Sequence, residues 1–131
     1  MTVAISVGTR FPAFATSMGR VLLANQSQEW LDGYFASTEL RALTRHTISE
    51  PARLRRELTR IREQGWALVD QELEEGLRSL AAPIHDADGR VIAAVNVSTH
   101  ATRRTLDSLR EDLLPPLLHT ARQIEADLKQ P

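Results

Sequence analysis

The sequence predicts an α+β domain in which an antiparallel sheet is flanked by helices. Three observations carry this reading. A stretch opening at Ser49 and Pro51 sets Leu54, Leu58 and Ile61 on one helical face and closes on Gly65. Three short apolar runs follow between Trp66 and Thr99, the last two parted by the turn pair Asp88-Gly89. Beyond them Leu106, Leu109, Leu113, Leu117, Ile124 and Leu128 make one helical stripe.

Taken in order, Val3 to Val7 alternates weakly and reads as a strand. Gly8 and Pro12 follow it, and a second extended segment is expected around Ala13 to Ala15. Thr16 or Ser17 then stands where an N-cap belongs, ahead of Val21-Leu22-Leu23-Ala24, with Asn25 as the stop. Ser27 caps a second helix over Gln28 to Phe35, whose Trp30, Leu31, Tyr34 and Phe35 recur at helical spacing and are expected in the core. After the Ser49 helix come strands Trp66 to Asp70, Leu77 to Ile84 and Val91 to Thr99, the last two forming a hairpin across Asp86 to Arg90. Pro115-Pro116 withhold two backbone donors and should kink or split the C-terminal helix.

Composition narrows the function. The 131 residues fit one domain with one core, and 42% hydrophobic with 25% charged residues is the balance of a globular protein. Apolar runs such as Ile92 to Val95 are far short of a membrane span, and no signal-peptide pattern opens the chain, so a cytoplasmic address without membrane contact is expected. Without cysteine there are no disulfides, thiolate metal sites or Cys nucleophile. The net charge of −1 argues against DNA contact by this domain, because phosphate neutralisation needs a basic surplus.

Two segments are candidates for a site. In Ala15-Thr16-Ser17-Met18-Gly19-Arg20 a strand end passes into a helix start, where free N–H groups and the positive end of the helix dipole can hold a carboxylate without a lysine. The competing reading is a capped helix start, with Gly19 present for close packing. The hairpin is the second segment: Leu77, Ser79 and Ala81 share one face of their strand, and Ile92, Ala94, Asn96 and Ser98 share one face of theirs. Small, partly polar faces leave room for a small-molecule cavity, or for an ordinary sheet under a close helix.

Other features favour plain structural roles. Asp70-Gln71-Glu72-Leu73-Glu74-Glu75-Gly76 reads as a solvated acidic turn, except that Asp70 ends a strand and could accept a bond from a ligand hydroxyl. Arg53, Arg55, Arg56, Arg60 and Arg62 are interleaved with Glu50, Glu57 and Glu63, a balanced solvated face rather than a nucleic-acid stripe. His46, His85, His100 and His119 have no zinc-ligand spacing, and neither a metal nor a cofactor is implied.

The order of these segments resembles the effector-binding domain of IclR-family transcription regulators. The resemblance runs through Val7-Gly8-Thr9-Arg10-Phe11-Pro12, then Ala15 to Ala24, then Arg62 to Ile84 with its Gly65-Trp66 and Asp70-Gln71-Glu72, then Gly89 to Ser98. It covers nearly the whole chain and is closest to the branch that controls catabolism of aromatic acids such as protocatechuate and 4-hydroxybenzoate. It implies a GAF-like α+β effector domain spanning residues 1–131, assembled as a homodimer or homotetramer. DNA would be bound only through a preceding winged helix-turn-helix, absent from this chain. It also implies that the effector is held by backbone donors at Ser17 and Met18, by Ser79, Asn96 and Ser98, and by the strand end at Val69 and Asp70.

The expected function is therefore a sensor for a small organic acid, with no catalysis. The carboxylate would dock at Ser17 to Gly19, with Thr16 and Ser98 also in the site, the ring would lie over Leu77, Ala81 and Ala94, and Ser79, Asn96 or Asp70 would bond the remaining oxygens. Two other classes compete: an oligomerisation module using the C-terminal leucine stripe, and an enzyme on a small acid with Asp70 or Glu72 as base.

Overall fold

Helix α1 (Ser17–Ala24) starts where the Thr16 hydroxyl accepts a hydrogen bond from the Gly19 N–H and ends at Asn25, in a computed structural model that describes residues 6–129. The expected strand at Val3 to Val7 falls largely outside the described residues, and its last two positions lie in a turn closed by the Thr9 N–H on the Ser6 carbonyl. Ala13 to Ala15 is not extended but a single 3-10 turn that buries Phe14 and Ala15. Pro12 holds the chain extended just before it, and the Ala15 and Thr16 N–H groups fold back onto the Pro12 and Ala13 carbonyls.

Helix α2 (Gln28–Ser37) is capped by Ser27, whose hydroxyl accepts from the Trp30 N–H. The expectation that its aromatics are core needs correction. Leu31 is buried, Tyr34 and Phe35 are half-buried, and Trp30 is 48% exposed and stacks on Tyr34 at the surface. Helical spacing placed Trp30 on the edge of the apolar stripe, and a ring pair on one helix can satisfy itself without burial. Helix α3 (Pro51–Gln64) begins one residue later than expected, with Glu50 rather than Ser49 at the cap. Proline disfavours helical geometry in the residue before it, so Glu50 stays extended. Gly65 closes the helix at φ 84°, donating to the Ile61 carbonyl.

Strands β1 (Ala67–Asp70), β2 (Leu77–His85) and β3 (Val91–His100) form an antiparallel sheet in the order β1-β2-β3. Val69 lies opposite Ser79, Ala81 opposite Asn96, and Ser79 opposite Ser98, with an irregularity at Ile84/His85 before the turn. In that turn the Asp86 carboxylate accepts from the Asp88 and Arg90 N–H groups, and Gly89 takes φ 81°. Alternation divides the sheet into two faces. Ala67 and Ala81 join α1, α2 and α3 residues in one apolar cluster, while Leu80, Ala82 and Ile84 join the C-terminal helix in another.

That C-terminal segment is split as its prolines require. A one-turn helix α4 (Leu106–Ser108) widens into a π segment at Leu109–Leu113, and helix α5 (Leu114–Leu128) restarts with the two prolines in its first turn. The Leu114 N–H reaches back five residues to the Leu109 carbonyl, so the break is absorbed before the missing donors of Pro115 and Pro116. Leu109 and Leu117 are buried against the sheet, with Leu106, Leu113 and Ile124 partly so, which covers most of the stripe; Leu128 remains exposed. The layers run α5, sheet, α1, α3, and the site lies on the α1 side.

Candidate ligand-binding site

Thr16 decides the local geometry of α1. Its hydroxyl takes the Gly19 N–H at 3.1 Å and its carbonyl takes the Arg20 N–H at 3.0 Å. The N–H groups of Ser17 and Met18 are left without a partner among the described residues, at the positive end of the helix. Gly19 does not take part in this cradle. A Cβ on it would stand 2.3 Å from the Ala13 carbonyl oxygen and 2.5 Å from the Thr16 hydroxyl, so its place is close packing against the 3-10 turn.

This helix start faces a compact cavity of about 60 Å³ between α1 and the sheet. By the measure under which one water needs roughly 10–15 Å³, the space holds a few waters and suits a small ligand. Thr16, Ser17, Met18, Val69, Leu77, Ser79, Asn96 and Ser98 line it, together with Phe11, Ala15 and Leu73. Ser17 is 2% and Ser79 8% exposed, and neither hydroxyl bonds to another described residue. Asn96 and Ser98 sit at the open rim and hydrogen-bond each other at 3.2 Å. Among the described residues no Lys, Arg or His lines the cavity.

Of the residues expected from the sequence, four stand outside the lining. Gly19 is packed as described. Asp70 lies on the opposite face of β1 from Val69 and accepts from Arg78 Nε at 2.7 Å. Ala81 is wholly buried and Ala94 partly buried on the α1 side, in the apolar cluster beside the cavity rather than in its wall. Three lining residues were not expected. Leu73 is the lone apolar residue of an acidic run, a signal the sequence does contain. Phe11 lies among the quoted Gly8 to Pro12 residues, and Ala15 immediately precedes the cap.

The acidic turn itself is not simply solvated. Glu72 is 7% exposed and receives the guanidinium of Arg20, itself 1% exposed, through two bonds of 2.8 and 2.5 Å. Arg20 also donates to the Phe14 carbonyl at 2.8 Å. Helical periodicity places Arg20 on the buried side of α1, but nothing local announces its partner fifty-two residues away. Both carboxylates offered as general bases, Asp70 and Glu72, are thus engaged by arginines. Among the described residues no group of His, Asp and Glu is placed to hold a metal ion, and no helix is long and apolar enough to cross a membrane.

The family model described as the C-terminal domain of the bacterial transcriptional regulator IclR matches residues 1–126. The chain belongs to this IclR C-terminal family. Among curated IclR relatives, the Pca regulon regulatory protein of Pseudomonas putida is 48% identical over 124 residues, which is 95% of this chain and 43% of that protein. Among solved structures, a transcriptional regulator from Rhodococcus sp. RHA1 superposes with a TM-score of 0.94 at 50% identity, covering 98% of this chain and 52% of the other. A double mutant of the PobR inducer-binding domain from Acinetobacter, in complex with 3-hydroxybenzoic acid, superposes with a TM-score of 0.87 at 32% identity, covering 90% of this chain and 69% of the other. The chain therefore spans less than half of the curated relative and shares its α+β fold with effector-binding domains of IclR regulators.

Proposed function

We propose that this chain is the effector-sensing domain of an IclR-type transcription regulator and that its cavity binds a small carboxylic acid of the hydroxybenzoate kind. One observation carries the reading: two free backbone donors at the start of α1 meet the hydroxyls of two buried serines, bonded to no other described residue, in a cavity whose remaining lining is mostly apolar. Ser17 and Met18 hold the carboxylate by their N–H groups. Val69, Leu73 and Leu77 bracket the ring, and Ser79, Asn96 and Ser98 meet a ring hydroxyl. A helix start and neutral hydroxyls suit one negative charge, and a second would be buried without a cation. The kinship with a Pca regulon regulator and a 3-hydroxybenzoate-bound domain supports the same class.

In this reading the domain acts without making or breaking a bond. It works in the cytoplasm as a homodimer or homotetramer and leaves DNA to a winged helix-turn-helix outside this chain. The acid shifts the balance between two arrangements of subunits by its difference in affinity for them. Calorimetric titration with 3-hydroxybenzoate, 4-hydroxybenzoate and protocatechuate tests the proposal. At least one acid is expected to bind saturably and, at one hundred times its dissociation constant, to add about 2.7 kcal/mol of stability. Ser79→Ala and Asn96→Leu should each weaken that acid by a few-fold, given about 1 kcal/mol per hydrogen bond. Absence of binding by every acid would refute the site; unchanged affinity in Asn96→Leu would remove Asn96 from it.

A further inference from the structure

The Glu72 carboxylate joins three segments that are far apart in sequence. Besides the two Arg20 bonds it accepts the Ile48 N–H at 2.9 Å, and the Glu72 carbonyl accepts the Thr47 hydroxyl at 2.7 Å. One residue back, the Gln71 carbonyl accepts the Thr44 hydroxyl at 2.7 Å. The Thr44–Ile48 segment is itself organised by hydroxyls, since Thr47 Oγ1 accepts from the Leu43 and Thr44 N–H groups. Gln71 takes a positive φ of 59°, a conformation that side chains seldom adopt and that surrounding bonds must hold. Its side chain accepts the Gly76 N–H at 2.9 Å, fixing the loop from within. Leu73, the next residue after Glu72, lines the cavity together with Ser17 and Met18.

We propose that Arg20 and Glu72 are positioning residues for the cavity: their ion pair fixes the gap between the α1 start and the Leu73 loop, and ties that gap to the Thr44–Ile48 segment. The proposal rests on the reading of the cavity as a binding site. A buried ion pair adds little net stability over apolar side chains of similar volume, because both charges lose their water. What the pair supplies that apolar residues do not is a fixed direction. The bidentate fork holds α1 and the loop at one spacing, and Phe14 and Ile48 complete its hydrogen bonds. Filling the cavity presses on Met18 and Leu73 together, and the bonds that lead outward from Leu73 run through Glu72 to Arg20, Thr47 and Ile48.

The test uses the double variant Arg20→Met/Glu72→Met, which removes both charges and leaves no buried charge unpaired. Amide hydrogen exchange and affinity for whichever of 3-hydroxybenzoate, 4-hydroxybenzoate and protocatechuate binds the parent chain are measured on the folded protein. Exchange at Ile48 and across residues 71–76 should quicken at least tenfold while Leu117 and Ala121 in α5 keep their rates, and the acid should bind at least tenfold more weakly. Leu109→Ala, which opens a hole on the far side of the sheet, should lower stability and leave affinity within twofold. If the double variant does not fold, Thr47→Val takes its place. It removes the hydroxyl that bonds the Glu72 carbonyl and organises the Thr44–Ile48 segment, and should give the same local quickening with several-fold weaker binding. Unchanged or uniformly raised exchange would overturn the proposal, as would parent-like affinity in a folded variant. Should the parent bind none of the three acids, the binding-site reading fails and the exchange result alone decides whether the pair locks these segments.

Discussion

Replacing Gly19 by alanine should destabilise this domain, although alanine is the better helix former. In an open helix the exchange favours alanine by about 1 kcal/mol. Here the added methyl would lie 2.3 Å from the Ala13 carbonyl oxygen, 2.5 Å from the Ala13 Cα and 2.5 Å from the Thr16 hydroxyl. Two of these are backbone atoms of a short 3-10 turn, so relief must come from separating the turn from α1. Overpacking of this kind costs about 1–3 kcal/mol, and the displaced Thr16 cap about 1 kcal/mol more. After the helical gain is subtracted, the net loss is about 1–3 kcal/mol, or roughly 4–12 °C in melting temperature for a domain of this size. Gly33 is the internal control. It sits within α2 with nothing inside 4 Å of an added Cβ, so Gly33→Ala should raise the melting temperature by about 2–4 °C. Differential scanning calorimetry of both variants decides the matter. A Gly19→Ala protein as stable as its parent would refute the close-packing account and return Gly19 to the cradle.

Other expectations follow from the same geometry. Leu109→Ala, at a wholly buried position, should lose about 2–5 kcal/mol in denaturant unfolding. Burial works against ionisation of Glu125, but the His85 backbone N–H, the His85 ring and the charge of Lys129 outweigh it and hold the carboxyl below its usual 4.5. A group depressed in the folded state stabilises above its unfolded pKa and loses that contribution as pH falls through the folded one. Stability should therefore fall as pH drops below about 4.5, and the fall should be shallower in Glu125→Gln over the same window. An identical acid limb in chemical denaturation of the two proteins would show that the His85–Glu125 pair is not its source. Thr16→Ala should cost about 1 kcal/mol through the lost cap, read as a lower denaturation midpoint at unchanged slope.

The fold was legible where local chemistry is strong. Ser27, Pro51, Gly65 and Asp88-Gly89 mark starts, stops and turns that short-range physics enforces, and the strands differ from expectation by a residue or so at their ends. Alternation likewise identified Ser79, Asn96 and Ser98 as neighbours on one face. What was not legible depends on partners distant in sequence. Asp70 looked available until Arg78 across the hairpin claimed it on the opposite face from Val69. Glu72 looked solvated because only the fold brings Arg20 and Ile48 to it. Gly19 admitted two readings that no spacing rule separates, and the position of Ala13 resolves them.

The strict alternation along β2 also acts as a reading frame. Leu77 and Ser79 face the cavity, while Leu80, Ala82 and Ile84 beyond them hold α5. A one-residue slip against β1 or β3 would exchange the two sets, driving Arg78 toward the cavity and Ser79 into the α5 core. The proposed ligand contacts of β2 and its folding contacts are thus encoded in overlapping letters of one strand, and neither can be rewritten by insertion without scrambling the other. Along this strand, a change of the proposed ligand contacts calls for substitution at alternate positions, with length changes left to the Asp86 to Arg90 turn.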